Sequence, residues 1–285
     1  MGPGFDCLGL ALDLWNEVRV DLGGDGLQVT GEGEASMSLE KDNLVYEGIS
    51  LAFAEAGQPM PRIGVQCRNE IPLGRGLGSS SAAIVGGLVA GNELCGRPIT
   101  QDRLLEIAAQ TEGHPDNSAA ALLGGCQIVV QDGDRLVTST VPIPEGLRAV
   151  LFIPDVAMPT EQARGLLPPV VERSDAVFNA GRTALLVDAF SSGDLSKLQV
   201  ATQDRLHQPA RETIFPAMKN IFRSALDAGA LGVFLSGAGS TVLALAKDRE
   251  LTIGYEMADA AAKSGIDGAL KVTRPTTTGA HVAAS

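Results

Sequence analysis

The sequence is poor in residues that bind zinc or form disulfides. Its four cysteines, Cys7, Cys67, Cys95 and Cys126, lie far apart with no CxxC spacing, and there are only three histidines. This pattern favours small buried thiols in a reducing compartment over a disulfide framework or a zinc site. We therefore expect a cytoplasmic protein without bound zinc.

Long apolar runs and excess positive charge are also missing. No stretch approaches the roughly 18 residues of a membrane-spanning helix, and the first nine residues lack the basic start of a signal peptide. The 22 Lys and Arg against 34 Asp and Glu give a formal net charge of −12 at pH 7. Such a charge argues against nucleic acid or an anionic membrane surface as a partner.

The chain does contain a glycine loop in front of a small-residue apolar segment. The stretch reads Pro72-Leu73-Gly74-Arg75-Gly76-Leu77-Gly78-Ser79-Ser80-Ser81-Ala82-Ala83. Glycine permits backbone angles that other residues avoid, and Ser79 or Ser80 is a suitable N-cap for a helix over 82–94. Amides at such a helix start bind phosphate, and the three serines offer oxygens to a Mg²⁺ carried by a nucleotide.

Two familiar phosphate loops do not fit this stretch. A Walker A loop ends in Gly-Lys-Ser/Thr, and a dinucleotide-binding loop has a preceding strand and a carboxylate about 20 residues later. Neither the lysine nor the carboxylate is present. The alternative to a phosphate site is a glycine-rich turn ahead of a tightly packed helix.

Periodicity predicts a mixture of strands and helices in both halves of the chain. Strands are predicted over 16–22, 27–30, 62–68, 126–131, 149–153, 231–235, 241–246 and 268–273. Helices are predicted over 44–56, 82–94, 101–111, 161–167, 170–190, 195–206, 215–228 and 251–263. The turn at 23–26 makes 27–30 the expected partner of 16–22. The mixture of strands and helices in both halves suggests an α+β protein. The linker Val141-Pro142-Ile143-Pro144 suggests domains 1–143 and 144–285.

Two segments in the first half of the chain contain candidate functional residues. Gly2-Pro3-Gly4-Phe5-Asp6 taken alone indicates a turn with a solvated carboxylate. Glu112-Gly113-His114-Pro115-Asp116-Asn117 is either a capping loop, in which Asp116 or Asn117 caps the next helix, or a functional loop. In the functional interpretation Asp116 orients or deprotonates a hydroxyl and His114 binds an anionic group.

The second half offers two more candidates. Ser236-Gly237-Ala238-Gly239-Ser240 is either a tight hairpin turn or a backbone that lies against a substrate or phosphate. Arg164 and Arg211 each precede or follow a proline-marked break. They are either solvated or a bidentate clamp on a carboxylate.

These motifs resemble one known family. The glycine loop resembles motif 2 of the GHMP kinases, whose pattern is Pro-x-x-x-Gly-Leu-Gly-Ser-Ser-Ala-Ala, with one extra serine here. Residues 235–243 resemble motif 3. Within that superfamily the Gly-Pro-Gly-Phe-Asp, Glu-Gly-His-Pro-Asp-Asn and Asp-x-Leu-His-Gln-Pro-x-Arg segments are similar to those of bacterial homoserine kinases. The resemblance covers nearly the whole chain in order.

The resemblance implies a fold and an activity. The fold would have an N-terminal half like domain 2 of ribosomal protein S5 and a ferredoxin-like C-terminal half. The activity would be transfer of the ATP γ-phosphate to the side-chain hydroxyl of L-homoserine, with Mg²⁺, in threonine biosynthesis. The implied partners are ATP and L-homoserine, and a second copy of the chain is a further candidate.

The same resemblance assigns site residues. ATP would be bound near its nucleoside by Asn43 and along its phosphates by Pro72, Leu73, Gly74, Arg75, Gly76, Leu77, Gly78, Ser79, Ser80, Ser81 and Ala82. Substrate would be bound by Asp6, His114, Asp116, Arg164, Arg211 and Gly237, with Asp116 and Asp6 as the catalytic carboxylates. Mg²⁺ would be bound by Ser80 and Glu106. Helical spacing places Glu106 on a polar face, so its metal role depends on the resemblance.

One departure and two alternatives accompany this assignment. The family has a strand and an Asn-Leu pair before Gly-Pro-Gly, whereas Met1 stands here at the Leu position, so we expect a chain shortened at its start by one strand. One alternative is another small-molecule GHMP kinase, of the mevalonate type. The other is a non-catalytic protein that binds ATP or an amino acid.

Overall fold

The computed structural model describes residues 1–283 of the chain. Its strands are β1 (Leu8–Leu10), β2 (Asn16–Leu22), β3 (Leu27–Gly31), β4 (Ile63–Asn69), β5 (Cys126–Asp132), β6 (Arg135–Val141), β7 (Arg148–Pro154), β8 (Gly232–Leu235), β9 (Val242–Ala246) and β10 (Gly268–Thr273). Its helices are α1 (Leu44–Glu55), α2 (Ser79–Leu94), α3 (Gln101–Glu112), α4 (Asp116–Leu123), α5 (Thr160–Gly165), α6 (Arg173–Ser192), α7 (Leu198–Ala201), α8 (Gln208–Arg211), α9 (Met218–Asp227) and α10 (Glu250–Lys263). None of the helices in residues 1–283 combines the length and apolar character needed to cross a membrane.

Residues 1–283 form two compact units. The C-terminal unit comprises Met1–Leu8, Gly74–Leu77 and Val141–Pro275, and the N-terminal unit comprises Gly9–Leu73, Gly78–Thr140 and residues 276–283. This grouping differs from the predicted division into 1–143 and 144–285, because two early segments contact the later half. The Gly2 carbonyl, for example, lies 2.8 Å from His207 Nε2, and Met158 N donates to the Gly74 carbonyl.

The C-terminal unit has the element order and sheet expected of a ferredoxin-like half. Its four-stranded sheet runs β10-β7-β9-β8, and every neighbouring pair is antiparallel. Helices α9 and α10 cover one face of the sheet, with Ile221 of α9 and Ile253 and Met257 of α10 in the same buried cluster as Val150 and Phe152 of β7. This arrangement follows from the β-α-β-β-α-β chain order.

In the N-terminal unit, one strand pairing differs from prediction. The strands of one sheet are ordered β2-β4-β3, with β4 antiparallel to β2 and parallel to β3. The expectation that 27–30 pairs with 16–22 is therefore wrong. The central strand β4 buries Ile63, Val65 and Cys67 on one face, as expected for the strand that gains most from two neighbours. A second sheet has the order β1-β5-β6.

Helix α2 packs closely on α1 because glycines face each other between them. A Cβ added at Gly87 would lie 2.2 Å from the Val45 carbonyl oxygen, and one at Gly48 would lie 2.5 Å from that of Ile84. The tight packing expected for the small-residue segment is thus present. The predicted start at 82 is wrong: α2 begins at Ser79 after Gly78, which has φ 74° and no side-chain cap.

The predicted helix over 195–206 is also wrong in its second part. A 3-10 turn at Leu195–Lys197 leads into α7, which ends at Ala201. The Asp204 carboxylate then accepts hydrogen bonds from the amides of Leu206, His207 and Gln208. A side chain that takes three amides in this way favours a turn over continued helix.

Candidate functional site

The glycine loop has left-handed backbone at alternate residues. Gly74, Gly76 and Gly78 have φ values of 60°, 74° and 74°. A Cβ at Gly76 would lie 2.0 Å from the Ser236 carbonyl oxygen, and Ser236 Oγ donates to the Gly76 carbonyl at 2.9 Å. In the C-terminal unit, Gly74–Leu77 therefore lies against the turn that joins β8 to β9, so the hairpin predicted at 236–240 is present.

Arg75 is engaged with main chain. Its Nε donates to the Pro154 carbonyl at 2.7 Å and its Nη2 to the Asp155 carbonyl at 2.5 Å. The Arg75 carbonyl in turn accepts from the Thr241 amide. These bonds hold loop residues 74–77 at the end of β7. The Arg75 side chain thus helps to set the conformation of the loop backbone. Its ATP role stays a prediction.

At the start of α2, serine hydroxyls contact a carboxylate that the sequence interpretation did not single out. Ser80 Oγ and Ser81 Oγ donate to Glu112 Oε2 at 2.9 and 2.5 Å. Because these hydroxyls bind Glu112, they do not cap the helix. The first-turn amides of α2 have no helical acceptors and favour an anion. Carboxylate and hydroxyl oxygens beside them are ligands that Mg²⁺ prefers.

Glu106 has a different partner. Arg103 Nη1 donates to Glu106 at 3.0 Å, and the same guanidinium binds Glu55 through Nε and Nη2. The hydrogen bonds that Arg103 donates to Glu55 and Glu106 raise its pKa. Glu106 lies six residues before Glu112 on α3, which is about 9 Å along the axis. Ser80 and Ser81 thus contact Glu112, and the metal role that the resemblance implies for Glu106 stays a prediction.

The His114–Asp116 pair lies just after α3. The left-handed Gly113 ends that helix, and α4 begins at Asp116 without a side-chain cap. The capping interpretation of Asp116 and Asn117 is therefore wrong. His114 Nδ1 lies 3.3 Å from Asp116 Oδ1, and both side chains are buried. Burial raises the pKa of Asp116, but neighbouring groups, His114 first among them, bring it below the ordinary 3.8. Asp116 is thus a buried, ionised acceptor.

In the C-terminal unit, Asp6 is paired and not simply solvated. Arg164 Nη1 and Nη2 donate to Asp6 Oδ2 and Oδ1 at 2.9 and 2.6 Å, in a fork-to-fork arrangement. Both side chains keep about a third of their surface exposed, 33% and 35%. Asp6 has φ 56°, a left-handed conformation that is unusual for a non-glycine residue. The predicted turn is present, but its carboxylate is only partly solvated because it is paired with Arg164.

Arg211 is buried and only partly bonded. Only 1% of the surface of this residue is exposed. Nη1 bonds to His207 Nδ1 at 2.8 Å and donates to the Gly237 carbonyl at 2.9 Å. Nε has no hydrogen-bond partner within residues 1–283. Burial, and then the charge of Arg164, lower the pKa of Arg211 to about 10, so the group stays cationic at neutral pH.

One aromatic ring brings the two arginines together. The Cζ atoms of Arg164 and Arg211 each lie 5.3 Å from the centre of the Phe5 ring. Such cation–π contacts are favourable at this distance. Within one unit, the structure therefore joins Asp6, Arg164 and Arg211 around Phe5, and we call these four residues the Phe5 cluster. A solvated role for the two arginines does not fit this arrangement.

Two further predicted residues have well-defined structural partners. Asn43 is buried, accepts from the Val45 amide at the start of α1 and donates to the Ser38 carbonyl. Gly237, with φ 50°, offers its carbonyl to Arg211. A nucleoside contact by Asn43 and a substrate contact by Gly237 stay predictions.

Sequence reasoning missed the roles of Glu112, Phe5, Asp204 and His207. All four belong to segments that the motifs had already marked. Glu112 opens the Glu-Gly-His-Pro-Asp-Asn segment, and Asp204 and His207 belong to Asp-x-Leu-His-Gln-Pro-x-Arg. The signal was present, but only the fold shows which side chains of these segments meet.

Comparison with known proteins agrees with this geometry. Residues 43–125 match the family model for the GHMP kinases N terminal domain, and residues 186–260 match that for the GHMP kinases C terminal domain. The homoserine kinase of Moorella thermoacetica is 40% identical over 283 residues, which covers 99% of this chain and 96% of the relative. That of Synechocystis sp. is 45% identical over 253 residues and covers 87% and 83%.

A solved structure agrees as well. The crystal structure of homoserine kinase from Cytophaga hutchinsonii superposes with a TM-score of 0.87 at 30% identity, covering 98% of this chain and 92% of that one. The crystal structure of L. major mevalonate kinase shares the fold at a TM-score of 0.66 and 16% identity, covering 93% of this chain and 88% of that one. The expected α+β, two-domain GHMP kinase fold is thereby confirmed. The chain belongs to the GHMP kinases and, within them, to the homoserine kinases.

Proposed function

We propose that the protein transfers the γ-phosphate of ATP to the side-chain hydroxyl of L-homoserine, and that the O-phospho-L-homoserine formed serves threonine biosynthesis. The observation that carries this proposal is the Phe5 cluster. L-Homoserine is a zwitterion, so it needs a carboxylate for its ammonium group and at least one cation for its carboxylate. Asp6, Arg164 and Arg211 supply these charges within one unit.

The two arginines bind the substrate carboxylate. Arg211 is cationic and buried, and its Nε lacks a partner among residues 1–283, so a carboxylate would satisfy a donor that otherwise stays unpaired. Arg164 is already held at Asp6. An ammonium group that binds Asp6 would share that carboxylate and leave part of the Arg164 fork for the substrate.

ATP is bound at the start of α2 and along the glycine loop. The free first-turn amides and the left-handed glycines at 74, 76 and 78 suit a triphosphate. We assign Mg²⁺ to Ser80 and Glu112, because Glu112 is the carboxylate that the serine hydroxyls contact. When bound, Mg²⁺ neutralises charge on the phosphate oxygens.

Asp116 orients the substrate hydroxyl. The hydroxyl oxygen attacks the γ-phosphorus, the bond to the β–γ bridging oxygen breaks, ADP leaves, and the hydroxyl proton passes to solvent water. A carboxylate with a pKa below 3.8 is a weak base at neutral pH. Phosphoryl transfer depends mainly on positioning and charge neutralisation. Asp116 therefore contributes as a fixed acceptor, with His114 holding its orientation.

ADP release in a coupled assay tests the proposal. L-Homoserine, mevalonate, sugars and γ-hydroxybutyrate are compared, the last having the hydroxyl and carboxylate of homoserine but no ammonium group. We expect turnover with L-homoserine and a large preference over γ-hydroxybutyrate. Turnover with mevalonate alone would favour the mevalonate-type alternative, and binding of ATP and homoserine without turnover would favour a non-catalytic protein.

An Asp6→Asn variant makes the test specific. Loss of the carboxylate should raise KM for L-homoserine and remove most of its preference over γ-hydroxybutyrate. Asp248→Asn, at an exposed aspartate of the same unit, is the matched control. It should keep the parent KM for L-homoserine and the parent preference over γ-hydroxybutyrate. An unchanged preference in Asp6→Asn would exclude Asp6 from ammonium recognition.

A cytoplasmic location and self-association complete the proposal. The four cysteines, all within residues 1–283, form no disulfide, which supports a reducing compartment. A second copy of the chain stays a candidate partner, and light scattering at several concentrations tests it.

A further inference from the structure

His207 is a buried histidine whose two ring nitrogens both have partners. The residue is 2% exposed. Nε2 lies 2.8 Å from the Gly2 carbonyl oxygen, and Nδ1 lies 2.8 Å from Arg211 Nη1. A carbonyl only accepts hydrogen bonds and a guanidinium only donates them. Nε2 must therefore carry the hydrogen and Nδ1 the lone pair, so the ring is neutral and has a single tautomer.

The surroundings of His207 fix its ring in place. The Asp204 side chain accepts from the amides of Leu206, His207 and Gln208 at 3.1, 3.0 and 2.7 Å and from Asn179 Nδ2 at 2.7 Å. The Phe5 ring stacks on the imidazole with centres 5.1 Å apart. Asp204 thus holds the backbone of His207, and Phe5 packs on the face of its ring.

Arg211 is oriented by this fixed ring. Nη1 has two hydrogens, and it uses one for His207 Nδ1 and one for the Gly237 carbonyl. The remaining donors are Nε, which has no partner within residues 1–283, and Nη2. These two nitrogens form one edge of the guanidinium, which is an edge that binds a carboxylate with two parallel hydrogen bonds.

We propose that His207 is a positioning residue for substrate recognition. As a neutral acceptor it holds Arg211 by Nη1, so that Nε and Nη2 are kept for the substrate carboxylate. As a donor to Gly2 it anchors the segment that carries Asp6, the group assigned to the substrate ammonium. The inference rests on the proposed function and deepens it.

Two substitutions separate the two hydrogen bonds. His207→Asn places an amide oxygen near the position of Nδ1, which keeps the acceptor for Arg211 and loses the donor to Gly2. His207→Gln places an amide nitrogen near the position of Nε2, which keeps the donor and loses the acceptor. His281→Gln, at an exposed histidine, is the matched control.

The two variants should differ in substrate binding. A lost hydrogen bond to a charged group corresponds to a change of about 10- to 100-fold. We expect His207→Gln to raise KM for L-homoserine by about that factor and for γ-hydroxybutyrate equally, with kcat and KM for ATP within about threefold of the parent. His207→Asn should raise KM for L-homoserine less, and His281→Gln should match the parent.

Each outcome decides for or against His207. If both His207 variants keep the parent KM for L-homoserine, or both lower kcat and thermal stability with KM unchanged, the positioning role is overturned. If the parent itself releases no ADP with L-homoserine, the proposed function fails, and the two failures are thereby distinguished.

A measurement on the parent protein needs no variant. Nitrogen NMR of labelled histidine reports which ring nitrogen carries hydrogen. We expect the Nε2–H tautomer from about pH 5.5 to 8 and a shift of the Nδ1 signal when L-homoserine is added. A protonated ring or the opposite tautomer in that range would overturn the inference even if His207→Gln does not fold.

Discussion

Two buried residues stay ionised although burial opposes their charge. Burial raises the pKa of Asp116, and neighbouring groups, His114 first among them, more than compensate. Burial lowers the pKa of Arg211 to about 10, which still leaves it cationic near neutral pH. Both residues therefore have a fixed charge over the range in which the enzyme works, and neither is suited to exchange a proton there.

A first prediction concerns Asp116. Because its low pKa makes it an orienting acceptor, Asp116→Asn should lower kcat by about 100-fold without abolishing turnover, and the parent should show no carboxylate ionisation in its kcat profile between about pH 5 and 9. Steady-state ADP release across pH measures both. Asp134→Asn, in the exposed turn after β5, is the control. Parent-like kcat in Asp116→Asn would remove Asp116 from the site.

A second prediction separates Glu112 from Glu106. Glu112→Gln loses a negative oxygen ligand beside Ser80 and Ser81, so the Mg²⁺ concentration needed for half-maximal activity should rise by about 10-fold or more. Glu106→Gln only weakens a surface ion pair with Arg103, so its Mg²⁺ dependence should match the parent. Titration of activity with Mg²⁺ at saturating ATP measures both. The reverse result would restore Glu106 as the ligand.

At the scale of elements, the glycine loop depends on backbone contacts. Gly76 combines φ 74° with a position where a Cβ would lie 2.0 Å from the Ser236 carbonyl oxygen. Backbone on both sides cannot give way as a flexible side chain could. The segment Gly74–Leu77 is thus fixed against the β8–β9 turn, and its conformation needs glycine at this position.

A third prediction follows from this contact. Gly76→Ala should lower the free energy of unfolding by more than about 2 kcal/mol and raise KM for ATP. Gly181→Ala, inside α6 where a Cβ meets nothing within 4 Å, should stabilise by about 0.5 to 1 kcal/mol. Thermal denaturation and ATP kinetics on both variants check this. Equal stability of the two variants would show that the loop is free to move.

Local sequence predicted the elements better than their partners. Thr100 caps α3 through its side chain, a feature that sequence can predict because an N-cap depends on residues next to it in the chain. Strand β3 pairs with β4, which is distant in sequence. The turn at 23–26 is local and does not indicate this partner. In the same way, periodicity placed Glu106 in the helix predicted over 101–111 and left Glu112 in the loop after it, and only the packing of α2 beside α3 shows that the serines contact Glu112.

At the scale of the whole molecule, the chain changes unit several times. The glycine loop is divided, with Gly74–Leu77 in the C-terminal unit and the residues on either side in the N-terminal unit. The opening residues Met1–Leu8 also belong to the C-terminal unit. Because these groupings join residues far apart in sequence, a division at a single linker could not represent them.

The last prediction concerns how the stability of the whole protein depends on pH. Burial lowers the pKa of His207 to about 4 from 6.5, with Asp204, Arg211 and the amino terminus of Met1 as the charged groups around it. Between about pH 4 and 6.5 the unfolded chain therefore binds one more proton than the folded chain. As pH decreases through that window, this histidine lowers the free energy of unfolding by about 3 kcal/mol. His207→Asn cannot take up this proton, so denaturation measured at both ends of the window should show a smaller loss than in the parent. Carboxylates titrate alike in both proteins and cancel in the comparison, so parallel pH curves would mean that His207 is already protonated in the folded state.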